Sequence, residues 1–124
     1  MRTFCLLLTL LCTGCISLRF DSLEYDRYIS IKEHIISLNS SCGTSRVISE
    51  LESLRLVVDH QLQYSSNKVH HTEFTNSIGI INTMIIDMQL KYHTTPLVST
   101  QYCKLKTNNM LIGTTFVIQE MGKL

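Results

Sequence analysis

The feature that most restricts this chain is an apolar stripe at helical spacing. Val47, Leu51, Leu54, Val58 and Leu62 recur at steps of four, three, four and four. Those steps put all five on one face of an α-helix but scatter them over both faces of a strand. Ile48 and Leu56 flank the stripe, while Glu50, Glu52, Arg55, Asp59 and Gln61 take the solvent side. A helix is expected over Ser45–Tyr64, closed by the turn sequence Ser65-Ser66-Asn67-Lys68. Such a helix gains most of its stability by burying its apolar face, so the rest of the chain must supply partners.

Three further segments can do so. Asp21 followed by Glu24 is the acidic variant of a capping box. Behind it Tyr28, Ile31, Ile35 and Leu38 form a stripe that Ile29 and Ile36 widen, giving a helix over Ser22–Ser40 stopped by Asn39-Ser40-Ser41-Cys42-Gly43. Thr72 is the expected cap of a third helix, Thr72–Tyr92, in which Phe74, Ile78, Ile81, Ile85 and Met88 line one face and Ile80, Met84 and Ile86 broaden it. Thr94-Thr95-Pro96 ends it. A strand through Ile78–Ile86 is the alternative, which the length of the pattern disfavours. In the last segment Met110, Gly113, Val117 and Met121 share a helical face with Phe116 beside it, over Asn108–Gly122; residues 113–118 also suit a strand. Four amphipathic helices without a sheet predict an all-α four-helix bundle, the economical way to bury four stripes.

Residues 1–17 stand apart. One positive charge, Arg2, precedes a short apolar run, and the small residues Cys15 and Ser17 occupy the −3 and −1 positions of a cleavage after Ser17. That is the pattern of a secretory signal peptide, too short to span a bilayer. A buried N-terminal helix and a lipoprotein anchor at Cys15 are the alternatives; for the anchor, Cys12 stands where Leu is usual. No second apolar stretch is long enough to cross a membrane, so no membrane anchor is expected.

Cleavage leaves a domain of residues 18–124. The full chain carries eleven basic and ten acidic side chains. Losing Arg2 leaves ten of each, without the clustered positive charge that nucleic-acid binding needs. Of five cysteines only Cys42 and Cys103 remain. An even count in an exported chain suggests one disulfide, the alternative being two free thiols. Asn39-Ser40-Ser41 is an N-glycosylation sequon, compatible with export.

Catalytic chemistry finds little footing. His60 with His70-His71 lacks a thiolate or carboxylate at ligand spacing, so no metal or other cofactor is expected. No Ser/His/Asp order, paired-carboxylate motif or CxxC stands out. A binding protein is the better expectation, because rigid helix faces suit docking in which a few central residues dominate. A secreted carrier or structural bundle, and a small hydrolase, are the competing readings.

Residues 29–40, Ile-Ser-Ile-Lys-Glu-His-Ile-Ile-Ser-Leu-Asn-Ser, resemble the first helix of the interleukin-4/interleukin-13 family of short-chain cytokines. Cys42 with Val47-Ile48 is similar to the opening of its second helix, and Ile86-Asp87-Met88-Gln89-Leu90 to part of its third. Cys103-Lys104-Leu105-Lys106-Thr107-Asn108-Asn109, then Phe116, is similar to the approach to its last helix. These patches cover about a third of the exported chain, in the family's order. The resemblance implies a secreted cytokine that binds the interleukin-4 receptor alpha chain. It then recruits the common gamma chain or the interleukin-13 receptor alpha chain, driving or antagonising immune signalling through Janus kinases and a STAT factor. It implies a Cys42–Cys103 bond between the start of the second helix and the loop before the last. It also implies a receptor contact centred on Glu33, with Ile29 and Ser37 beside it.

Three departures qualify these implications. Where the family has a second anchor, an arginine on its third helix, this chain has Met88. Lys91 lies one turn on and is the substitute, but an ammonium lacks the guanidinium fork. The chain ends at Leu124, where the family's last helix continues with residues for the second receptor chain, so recruitment of that chain is expected to differ. Finally, about five residues separate the first two helices. They reach at most about 17 Å, while a helix of about 18 residues is some 27 Å long. The family's up-up arrangement of those helices is therefore out of reach. An antiparallel hairpin, or a displaced first helix, is expected.

Overall fold

The computed structural model describes residues 20–67 and 72–124, except for the side chain of Thr72. The expected leader, the His70-His71 pair and the capping role of Thr72 lie outside the described residues. Four helices run in chain order: α1 Ser22–Ser41, α2 Val47–Ser66, α3 Thr72–Thr94 and α4 Thr100–Met121. The described residues contain no strand, and the architecture is the all-α four-helix bundle expected from the stripes. Both strand alternatives fall inside helices, residues 78–86 in α3 and residues 113–118 in α4.

Local chemistry sets the boundaries. Asp21 Oδ1 accepts from the Glu24 backbone N–H at 3.1 Å and starts α1. Gly43 ends the turn after α1 at φ +84°, left-handed backbone that favours glycine. A Cβ there would also lie 2.7 Å from Thr100 Oγ1, so the site excludes a side chain twice over. Ser99 caps α4 through a 3.1 Å bond from the Tyr102 N–H, which puts the start of this helix eight residues ahead of the expected Asn108. The inner face of α4 includes Cys103, Thr107 and Thr114, all buried. The two threonine hydroxyls bond back to the carbonyls of Cys103 and Met110, at 2.9 and 2.8 Å, which lets polar side chains sit in the core without loss.

Topology follows from the connections. Residues 42–46, 67–71 and 95–99 are each five long and span at most about 17 Å, about half the length of the helices they join. Every consecutive pair must therefore run antiparallel. Tyr64 near the end of α2 donates to Asp21 at the start of α1 (2.8 Å), Arg55 reaches Gln89 of α3 (2.7 Å), and Asn39 near the end of α1 reaches Thr107 of α4 (2.6 Å). Helix α1 borders α2 and α4, α3 borders the same two, and α1 and α3 occupy opposite corners. This up-down-up-down order contains the expected antiparallel hairpin. It replaces the up-up start implied by the cytokine resemblance, because the first connection is too short for an overhand crossing.

Ile31 and Ile35 of α1, Leu51 and Leu54 of α2, Ile78 and Ile85 of α3, and Met110 and Val117 of α4 meet in one core. Each such side chain contributes about 1.5–3 kcal/mol of burial. Several flanking residues expected to widen the stripes do not join it: Ile36, Ile48, Leu56, Ile80, Ile86 and Phe116 are exposed. They lie roughly 100° or more around the helix from the buried line, which a single layer of neighbours leaves uncovered. Gln61, expected on the wet face, is only 1% exposed.

Candidate functional site

Helix α1 carries the candidate site on its outer ridge. Ile29, Glu33 and Ser37 are spaced by four and project on successive turns. They face away from the buried line of Tyr28, Ile31, Ile35 and Leu38. Glu33 is exposed and has no hydrogen-bond or ion-pair partner among the described residues. Ile29 is partly buried against the core, which fixes its position, and Ser37 is partly buried, its carbonyl accepting from Ser41 Oγ at 3.0 Å. Ile36 stands half exposed beside Glu33. The result is an exposed carboxylate, without a partner among the described residues, flanked by two isoleucines on a rigid helix. Such a group accepts charge-assisted hydrogen bonds, which strengthen once apolar neighbours exclude water.

Lys91 does not join this ridge. It is exposed near the end of α3, its Nζ 5.6 Å from the centre of the Tyr102 ring of α4, with Lys106 Nζ at 5.8 Å from the same ring. Because α3 stands at the corner opposite α1, Lys91 and Glu33 do not share a face. Met88, at the family's arginine position, is buried in the core.

Cys42 and Cys103 form a disulfide with their Cα atoms 5.7 Å apart. Cys42 is the C-cap of α1 and Cys103 lies in the first turn of α4, so the bond joins the first helix to the last. The resemblance implied other elements, the start of the second helix and a loop. The early start of α4 absorbs that loop. A cross-link over 61 residues constrains the unfolded chain by about 4 kcal/mol in the chain-entropy model.

Asn39, the sequon residue, lies in the seam between these two helices. Its Nδ2 donates to Thr107 Oγ1 at 2.6 Å and to Asn108 Oδ1 at 3.2 Å, and its Oδ1 accepts from Lys104 Nζ at 3.1 Å. The nitrogen that would carry a glycan is thus engaged across the bundle.

A buried polar cluster escaped the sequence reading. Glu24 is fully buried and accepts from Ser65 Oγ at 3.1 Å and Gln61 Nε2 at 3.3 Å, and Gln61 also donates to Ser65 at 2.7 Å. Beside them Tyr28 donates to the Phe74 carbonyl at 2.9 Å. Burial, reinforced by the Glu24 charge, pushes the Tyr28 phenol well above its usual range. The spacing held a signal for these residues: Glu24 precedes Tyr28 by four, and Gln61 and Ser65 extend the line of Leu54 and Val58 by three and four.

His60 is exposed in an open groove with Arg27 and Tyr64, and no three His, Cys, Asp or Glu side chains among the described residues converge as metal ligands. No described helix is long and apolar enough to cross a membrane. Comparison with protein-family models, with curated proteins and with solved structures found no match.

Proposed function

We propose that this chain is an exported helical ligand of the interleukin-4/13 type. It docks on one cytokine-receptor chain, the interleukin-4 receptor alpha chain, through the outer ridge of α1. The observation that carries the reading is Glu33: an exposed carboxylate with no partner among the described residues, between Ile29 and Ile36 on a helix whose inner face is locked in the core. Further support comes from the export-type leader, from the disulfide that suits an oxidising compartment, and from the ordered sequence patches. Lys91 is remote from Glu33, so the contact is a single-helix one.

Reporter cells with and without the alpha chain test this. Protein harvested from medium should compete with interleukin-4 on the first. Failure to compete, or a response independent of the alpha chain, would refute the proposal. Lipid co-purifying with a protein that fails to compete would favour the carrier reading.

A further inference from the structure

On the side of the bundle turned away from the α1 ridge, α3 and α4 present an apolar face. Ile80 is 64% exposed, Ile112 70% and Phe116 59%. Residues 107–119 of α4 include no charged side chain, although this stretch has an outer surface to solvate. Phe116 and Ser77 line a common hollow at one end of the seam, and Lys91 meets Tyr102 at the other. Between these two fixed points the antiparallel register sets Ile80 opposite Gly113. Apart from the chain neighbours and the local backbone of α4 itself, no described atom stands within 4 Å of where a Gly113 Cβ would be, so the seam has room at its centre.

The charges at the two ends differ in sign. Glu73 and Glu120 border the hollow at one end, with Lys123 paired to Glu120 at 2.6 Å. Lys91 and Lys106 flank Tyr102 at the other, with Asp87 nearby. Counting these described residues, each end keeps a net charge of its own sign.

We infer that this α3–α4 face binds a second copy of the chain, antiparallel, about a two-fold axis through the Ile80–Gly113 seam. Such an axis sets apolar centre on apolar centre and the acidic end of each copy on the basic end of the other. A parallel arrangement would stack like charges. Two helices about 10 Å wide and some 30 Å long present on the order of 600 Å², near the lower range of one partner's share of a specific interface. The α1 ridge stays uncovered, so the dimer would display Glu33 twice, and the inference does not depend on what Glu33 binds.

Sedimentation equilibrium of the purified, disulfide-bonded protein tests the arrangement. The expected result is a monomer–dimer equilibrium in the micromolar range that Ile112→Glu weakens by at least about tenfold, with helicity unchanged. The charge-reversed variants Lys91→Glu/Lys106→Glu and Glu73→Lys/Glu120→Lys should each be monomeric alone and should dimerise when mixed. A strictly monomeric parent protein would overturn the proposal, as would a dimer indifferent to Ile112→Glu. A charge-reversed variant that still dimerises alone would overturn the antiparallel geometry.

Discussion

Asn39, near the end of α1, donates from Nδ2 to Thr107 Oγ1 of α4 over 2.6 Å, while its own Oδ1 accepts from Lys104. Three polar side chains thus zip the first helix to the last within one turn of the disulfide. A glycan on this nitrogen would remove a donor from the seam and wedge the helices apart. The folded protein is expected to carry no sugar at Asn39: endoglycosidase treatment should leave its mass unchanged. Asn39→Ala should lower stability by about 1–2 kcal/mol in urea denaturation.

The cluster of Glu24, Gln61 and Ser65 is a second place where one change acts across the bundle. Replacing Gln61 by Leu removes a donor from a buried carboxylate. The cost should be about 1–3 kcal/mol despite the added apolar surface. Changing Glu24 to Gln together with Gln61→Leu should recover part of that loss, because no charge is then left buried. Equal denaturation midpoints for the single variant and the parent would show that the cluster contributes nothing.

Tyr28 gives the protein an alkaline limit. Its phenol is raised in the folded state by burial first and by Glu24 second, while in the unfolded chain it ionises near its ordinary value of about 10. Below that pH both states hold the proton and the stabilisation is complete. Above it the unfolded state loses the proton first, so stability falls with rising pH by about 1.4 kcal/mol per unit. Urea midpoints measured between pH 9 and pH 11 (roughly one unit either side of the free phenol's value) should decline, and Tyr28→Phe should flatten the decline. An unchanged slope in that variant would locate the effect elsewhere.

How far the fold was legible depends on how each residue is held. The line Val47, Leu51, Leu54 and Val58 announces its helix because all four are apolar and the period is unbroken. The same kind of line exists in α4 as Cys103, Thr107, Met110, Thr114, Val117 and Met121, at alternating steps of four and three. Counting only apolar residues hides its first half, since Thr107 and Thr114 enter the core by bonding their hydroxyls to their own helix. Gln61 was missed for a different reason. Its buried Nε2 is held by an acceptor far off in sequence, since Glu24 lies 37 residues away. Phe116 and Ile80 look like core residues by type, and only the corner positions of α3 and α4 leave them exposed. Within the candidate site, the spacing of Ile29, Glu33 and Ser37 was readable because it lies on one helix. The separation of Lys91 from them depends on the order of helices around the bundle, which the length of three short connections dictates.

The most direct measurement is the affinity of the disulfide-bonded protein for immobilised interleukin-4 receptor alpha ectodomain, compared with that of Glu33→Arg. The parent should bind, and the variant should bind about a hundredfold more weakly or not at all while its circular dichroism stays that of the parent. Equal affinities for the two proteins, or no binding by either, would contradict a receptor contact centred on Glu33.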